Sequence, residues 1–83
     1  MINIGYGNLI NQDKVIAVIN ADSAPAKRIV SNARGDGRLV DATQGRKTKT
    51  VIITEGDTVV TSSLTAQVLR SRFDAGCKEE DDE

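Results

Sequence analysis

The chain has 83 residues, with no histidine, one cysteine and only two aromatic residues, Tyr6 and Phe73. Without histidine the commonest general base and transition-metal ligand are missing, and a single cysteine cannot close an intrachain disulfide; an enzyme, a metal or cofactor protein and a disulfide scaffold are therefore set aside, and a reducing compartment is expected. The formal net charge of -1 conceals an asymmetry, because five of the twelve acids form the run Glu79 to Glu83 and the other seven face eleven cations.

At this length the chain is a single domain, and folding buries only about 60% of the surface that the unfolded chain exposes. Leu, Ile, Val and Phe make up 21 of the 83 residues, more than disordered chains usually hold, so the chain is expected to fold. Tryptophan is absent and Met1 is the one methionine. With so few large side chains to fill a core, association between copies is the expected source of further stability. No apolar run approaches the roughly 20 residues that span a bilayer, and no basic-then-apolar leader opens the chain, so a cytoplasmic protein without a membrane partner is expected.

Ile2 to Ile4 reads as a short strand, and Gly5-Tyr6-Gly7-Asn8 as a turn whose glycines permit positive φ. Gly5-x-Gly7 lacks the third glycine and the following helix of a dinucleotide fingerprint, so the turn is read as structural. Leu9-Ile10 precedes a polar turn at Asn11-Gln12-Asp13, and Lys14 opens the next strand. Val15 to Ile19 is apolar without interruption, as is Val51 to Ile53, so both strands need cover on two faces. The chain's own helices can close one face, and a neighbouring subunit is the candidate for the other.

Ser23 suits a helix N-cap, with Pro25 in the first turn. Ala26, Ile29, Val30 and Ala33 repeat at helical spacing, Lys27, Arg28 and Arg34 lie off that stripe, and Gly35 and Gly37 are expected to stop the helix. Leu39 to Ala42, Thr48 to Thr54 and Thr58 to Thr61 then read as three antiparallel strands in a meander, the last two joined by a hairpin turn at Glu55-Gly56-Asp57. Ser62 or Ser63 is expected to cap a final helix with Leu64, Val68, Leu69 and Phe73 on one stripe. Residues 74–83 read as an acidic, disordered tail following the domain of residues 1–73. The fold class expected is α+β: a small antiparallel sheet with two helices.

The chemistry concentrates between the first two strands of that meander. Thr43-Gln44-Gly45-Arg46-Lys47-Thr48-Lys49-Thr50 holds three cations and a glycine, with no acid and no bulky apolar side chain. Arg46 and Lys47 directly follow Gly45, so the backbone can approach a phosphate closely, while Thr43, Thr48 and Thr50 add hydroxyl donors. Lys49 belongs to the same loop, and Arg28 lies on the basic face of the first helix. Asp41 stands nearest the loop and is expected to orient an arginine or brace the turn. A helix with base-reading side chains at the spacing of a recognition helix is missing, so binding through the phosphate backbone is expected rather than base readout.

Three motifs in order resemble one family: Asn3-Ile4-Gly5-Tyr6-Gly7-Asn8, Ser23-Ala24-Pro25-x-Lys27-Arg28, and Asp41-Ala42-Thr43-x-Gly45-Arg46-Lys47-Thr48. They look like the bacterial extracellular matrix regulatory protein A (RemA) family, over residues from Ile2 to about Val60. The resemblance implies a cytoplasmic, nucleoid-associated protein that binds double-stranded DNA and activates transcription of biofilm matrix operons. It also implies a LytTR-like protomer assembled into a closed, octamer-like ring. The family's DNA contacts fall here on Arg46, Lys47 and Lys14. Lysine stands at 14 and 47 where arginine is familiar in the family, so those two positions would meet phosphate as point charges rather than as a bidentate fork. No small-molecule substrate or cofactor is implied. The alternative is an RNA-binding or purely structural homo-oligomer, against which the scarcity of aromatic stacking platforms counts in the case of single-stranded RNA.

The acid run either competes with phosphates for the cations, once per subunit, or is a solubility tail that never reaches the loops, and its removal separates the two. Deleting Glu79 to Glu83 is expected to tighten binding to random duplex DNA at low salt, with the gain fading as the Debye length shortens to roughly 8 Å at physiological ionic strength. A salt series of fluorescence anisotropy measurements on the full and shortened chains checks this.

Overall fold

The computed structural model describes the backbone of residues 1–82 and the side chains of residues 1–74. Six strands and two helices follow in the order β1 (Ile2–Asn3), β2 (Leu9–Ile10), β3 (Val15–Asn20), α1 (Ala24–Gly35), β4 (Leu39–Asp41), β5 (Thr50–Thr54), β6 (Val59–Ser62) and α2 (Ala66–Asp82). Short 3-10 turns at Gln12–Lys14 and Glu55–Asp57 lead into β3 and β6.

The first two strands form a separate antiparallel hairpin, Ile2 opposite Ile10 and Asn3 opposite Leu9. Its turn is structural, as the missing third glycine implied: Gly5, Tyr6 and Gly7 all have positive φ, and Asn3 Oδ1 accepts from the Gly5 N–H at 2.8 Å. The other four strands form one sheet in the order β3-β5-β6-β4. β3 and β6 each run antiparallel to β5, whereas β4 pairs parallel to β6, Leu39 opposite Val59 and Asp41 opposite Thr61.

This arrangement corrects the expected meander. β4 and β5 are successive in the chain but are not neighbours, because β6 lies between them. α1 carries the chain from one edge of the sheet to the other, and the β5–β6 hairpin fills the gap. The eight residues between Asp41 and Thr50 allow the crossing: they are too many for a tight two-residue hairpin and long enough to pass over the end of a strand.

Alternation along the central strands produces two cores. Val51 and Val59 pack with Ala26 and Ala33 of α1, while Ile52 and Val60 pack with Ile4, Ala42 and Leu69 on the other face. Period-two alternation puts each set on its own side of the sheet. The protomer therefore covers both faces of β5 by itself, with α1 on one side and the β1–β2 hairpin with α2 on the other; no neighbouring subunit is needed there. Ile16 is the exception to the cover expected along β3. The register shifts between Val15 and Ala17, and Ile16 is 65% exposed at that bulge.

Ser23 caps α1 as its position implied, its Oγ accepting from the Ala26 N–H at 3.2 Å, with Pro25 in the first turn. Gly35 stays inside the helix, and the stop falls at Gly37 with φ +74. α2 is capped by Thr65, whose Oγ1 accepts from the Val68 N–H at 3.2 Å, and not by Ser62 or Ser63. Ser62 has another partner: its fully buried hydroxyl donates to the Ile4 carbonyl at 2.8 Å, tying β6 to the N-terminal segment, and accepts from the Leu64 N–H. Arg72 adds a second tie, its guanidinium donating to the Asn3 carbonyl at 2.8 Å. The backbone of α2 continues past Asp74, where the sequence pattern placed a disordered tail, and the acidic side chains of that tail lie outside the described residues.

Leu69 is the fully buried contact of α2, whereas Val68, expected on the same stripe, is 39% exposed. Leu69→Ala is expected to lower stability by roughly 2–5 kcal/mol through the cavity left between α2 and the sheet. Val68→Ala is expected to cost under about 1 kcal/mol. Urea denaturation followed by circular dichroism separates the two.

Candidate nucleic-acid interface

One end of the sheet is marked by the register row Asn20, Thr50 and Ser62. Both helices begin just beyond that row, α1 after Asn20 and α2 after Ser62, and the loop between β4 and β5 crosses the same end. Two helix N-termini, each carrying roughly half a positive charge, therefore flank the segment that carries Arg46, Lys47 and Lys49.

The loop is braced from its first residue. Asp41 Oδ1 accepts three hydrogen bonds: from the Thr43 N–H at 2.9 Å, from Thr43 Oγ1 at 2.6 Å and from Thr61 Oγ1 at 3.1 Å. The Thr61 bond anchors the brace to β6, the strand being crossed. The Asp41 carboxyl is held below its ordinary value of 3.8, chiefly by the Thr43 hydroxyl and then by the Thr43 N–H; burial opposes the shift, and the Thr61 hydroxyl and the charge of Arg34 add lesser support. This is the turn-bracing role expected for Asp41.

A turn follows in which the Arg46 N–H donates to the Thr43 carbonyl at 3.0 Å. Its two central residues, Gln44 and Gly45, have φ +54 and +81, the paired left-handed conformation of a type I′ turn. An added Cβ at Gly45 would meet nothing within 4 Å, so glycine is required there by backbone conformation rather than by space. The far side is pinned as well. The Lys49 N–H donates to the Ser62 carbonyl at 2.9 Å, and its carbonyl accepts from the Ala21 N–H at 3.1 Å. Between these two anchors, Arg46 and Lys47 project into solvent, and among the described residues neither pairs with a carboxylate.

The five cations singled out by sequence do not form one cluster. Lys47 and Lys49 share a groove of about 300 Å³ with Asn20, Asp22, Thr48, Thr65 and Ala66, and Arg46 precedes them on the loop. Lys14 lies at the opposite end of the sheet, where Val15 pairs with Thr54. Strand β5 alone separates the two ends by roughly 14 Å at about 3.4 Å per residue. The Lys14 ammonium instead stands 3.6 Å from Glu55, a pair with both side chains about 60% exposed and therefore weak. Arg28 is exposed on α1, but the helix cations that face the loop are Lys27 and Arg34, which line a second groove with Thr48. Their spacing was a usable signal. Lys27, Val30 and Arg34 stand at i, i+3 and i+7, so both cations border the half-buried edge of the apolar stripe.

Among the described residues no group of three His, Cys, Asp or Glu side chains gathers as a metal would require, and no helix is long and apolar enough to cross a membrane. The fold and the cation-bearing crossing loop are those of a small α+β protein. Residues 1–73 match the family described as extracellular matrix regulatory protein A-like, and the chain belongs to that family. It is 49% identical over 72 residues to a protein of Geobacillus thermodenitrificans, an alignment covering 87% of this chain and 83% of the relative. It is 39% identical over all 83 residues to a protein of Natranaerobius thermophilus, covering 93% of that chain, and 48% identical over 73 residues to one of Gloeothece citriformis, covering 88% and 83%. Each of the three is named as a candidate regulatory protein.

Asp41 has its pKa lowered by folding, so the stability it contributes is complete above the unfolded aspartate value and is lost as pH falls through the lower folded value. Asp41→Asn is expected to remove that part of the acid limb of the stability profile. Urea midpoints between pH 5 and pH 2 check this, and amide exchange at Thr43 and Arg46 should quicken in the variant already at neutral pH.

Proposed function

We propose that this protein is a DNA-binding transcriptional regulator of the matrix-operon type, gripping duplex DNA through loops repeated around a homo-oligomeric ring. The observation that carries the reading is the presentation of Arg46 and Lys47: exposed, adjacent and without a carboxylate partner among the described residues, on a turn braced at both ends. Rigid mounting lowers the entropic cost of ordering two long side chains against phosphate. Lys49 extends the track along the loop. Lys14, at the far end of β5, meets a different phosphate from the loop, and Arg28 contributes only to the field around α1. Membership in a family described by extracellular matrix regulation and kinship with proteins named as regulatory support the regulatory part.

Exposed apolar side chains on both edge strands support assembly. Ile16 on β3 is 65% exposed and Val40 on β4 is 51% exposed. The two strands lie at opposite edges of one sheet, as a head-to-tail ring requires of its two contact surfaces. Tyr6, 51% exposed in the hairpin turn, is the one exposed aromatic among the described residues, too little for a stacking platform for single-stranded RNA.

Replacing Arg46 and Lys47 together by alanine is expected to abolish binding to duplex DNA in anisotropy titrations. The circular dichroism spectrum should not change, and light scattering should still show an assembly much larger than the 8.9 kDa protomer. Lys14→Ala should weaken binding less, reducing the slope of log K against log salt by about 0.9. A folded double variant that keeps its affinity overturns the proposal.

A further inference from the structure

The second groove lies beside the loop, on the side of α1. It has a volume of about 310 Å³ and is lined by Ala21, Asp22, Lys27, Val30, Ser31, Arg34, Thr48 and Val51. Apolar surface is contributed by the half-buried Ala21 and Val30, above the fully buried Val51. Lys27 and Arg34, two helical turns apart, border it with positive charge, and Asp22, Ser31 and Thr48 add an acceptor and two hydroxyls. Among the described residues none of the side chains of Asp22, Lys27, Ser31, Arg34 or Thr48 has a hydrogen-bond or ion-pair partner. A concave apolar lining with a few converging, unengaged polar groups is the usual form of a small-molecule site, and the volume sits at the lower end of that class.

We propose that this groove binds a small organic phosphate carrying a ring, of nucleoside monophosphate size, and that its occupation weakens the grip of the neighbouring loop on DNA. Arg34 offers a planar fork suited to two phosphate oxygens, with Lys27 as a second charge. The ring lies against Ala21 and Val30. Asp22 accepts from ligand hydroxyl or amino groups, which a simple fatty acid lacks; such an acid would leave Asp22, Ser31 and Thr48 without partners.

Coupling to the loop has two physical routes, and this part rests on the DNA-binding reading above. Thr48 lines the groove and directly follows Lys47. Arg34 also lends its charge to the Asp41 carboxylate that braces the Thr43–Arg46 turn. A phosphate that takes Arg34 offsets that charge, the smallest of the influences on Asp41, so the main route runs through Thr48 to Lys47. By linkage, bound DNA must weaken the nucleotide by the same factor.

Calorimetry on the full, DNA-free protein with AMP, adenosine and inorganic phosphate as separate probes tests the site. AMP is expected to bind once per subunit and more tightly than either fragment. Arg34→Ala should weaken AMP roughly tenfold. Ser31→Phe, which fills the groove from an exposed helix position, should abolish AMP binding with an unchanged circular dichroism spectrum. The Arg46 and Lys47 double alanine variant should retain it. The site is overturned if folded wild-type protein binds no AMP, if inorganic phosphate binds as well as AMP, or if AMP binding survives Ser31→Phe but is lost in the loop variant. The coupling is read separately: AMP should lower wild-type affinity for duplex DNA and leave that of Ser31→Phe at its unliganded level, and equal affinities with and without AMP overturn it. AMP binding by a protein that binds no duplex supports the groove while refuting the DNA-binding reading.

Discussion

The carboxylate of Asp41 accepts three hydrogen bonds where the chain leaves the sheet edge, and the remaining architecture of the loop end depends on that junction. β4 must deliver the chain across β6 to reach the centre of the sheet. A flexible crossing of eight residues would carry its cations in many conformations, each losing entropy on binding. Two of the three bonds shape the crossing itself by folding Thr43 back on Asp41. The third fastens the crossing to Thr61 on the strand beneath it, so the braced turn inherits the rigidity of the central hairpin.

That rigidity comes from cover on both faces. Val51 and Ile52 are each fully buried although they point to opposite sides, because α1 closes one face and α2 with the N-terminal hairpin closes the other. The same topology separates function from packing at the level of charge. Both helix N-termini and the crossing loop gather at the end marked by Asn20, Thr50 and Ser62. The opposite end holds mutually compensated charges, with Lys14 near Glu55, and Arg38 bound to Asp36 and to the Asp57 carbonyl. The three cations of the loop therefore stand together at one end of a chain whose formal net charge is -1. A pI near 5.4 says little about what the loop end meets.

The grooves on either side of Thr48 give that end depth as well as charge. One opens toward the start of α2 and holds Lys47 and Lys49; the other opens toward α1 and holds Lys27 and Arg34. Thr48 and Asp22 line both.

Local chemistry was legible in the sequence. The cap at Ser23, the stop near Gly37, the glycine turn before Asn8, the acid-free loop and the bracing role of Asp41 each follow from residue types within a few positions, where sterics and short-range hydrogen bonds decide. The motifs also sufficed to indicate the family. Strand order was not legible, because antiparallel direction between β4 and β5 is the same whether they pair or are separated by β6, and only the parallel partnership of β4 with β6 settles it. Thr65 displaced Ser62 as the helix cap because Ser62 was drawn into a buried bond with Ile4, 58 residues away. Which cations converge was likewise a tertiary matter. Arg46, Lys47 and Lys49 are joined by the loop that carries them, whereas the length of β5 parts Lys14 from them and the path of α1 brings Lys27 and Arg34 beside Thr48. Sequence determined the residues able to meet an anion; the order of the strands decided which of them can meet it together, since that depends on contacts between segments far apart in the chain.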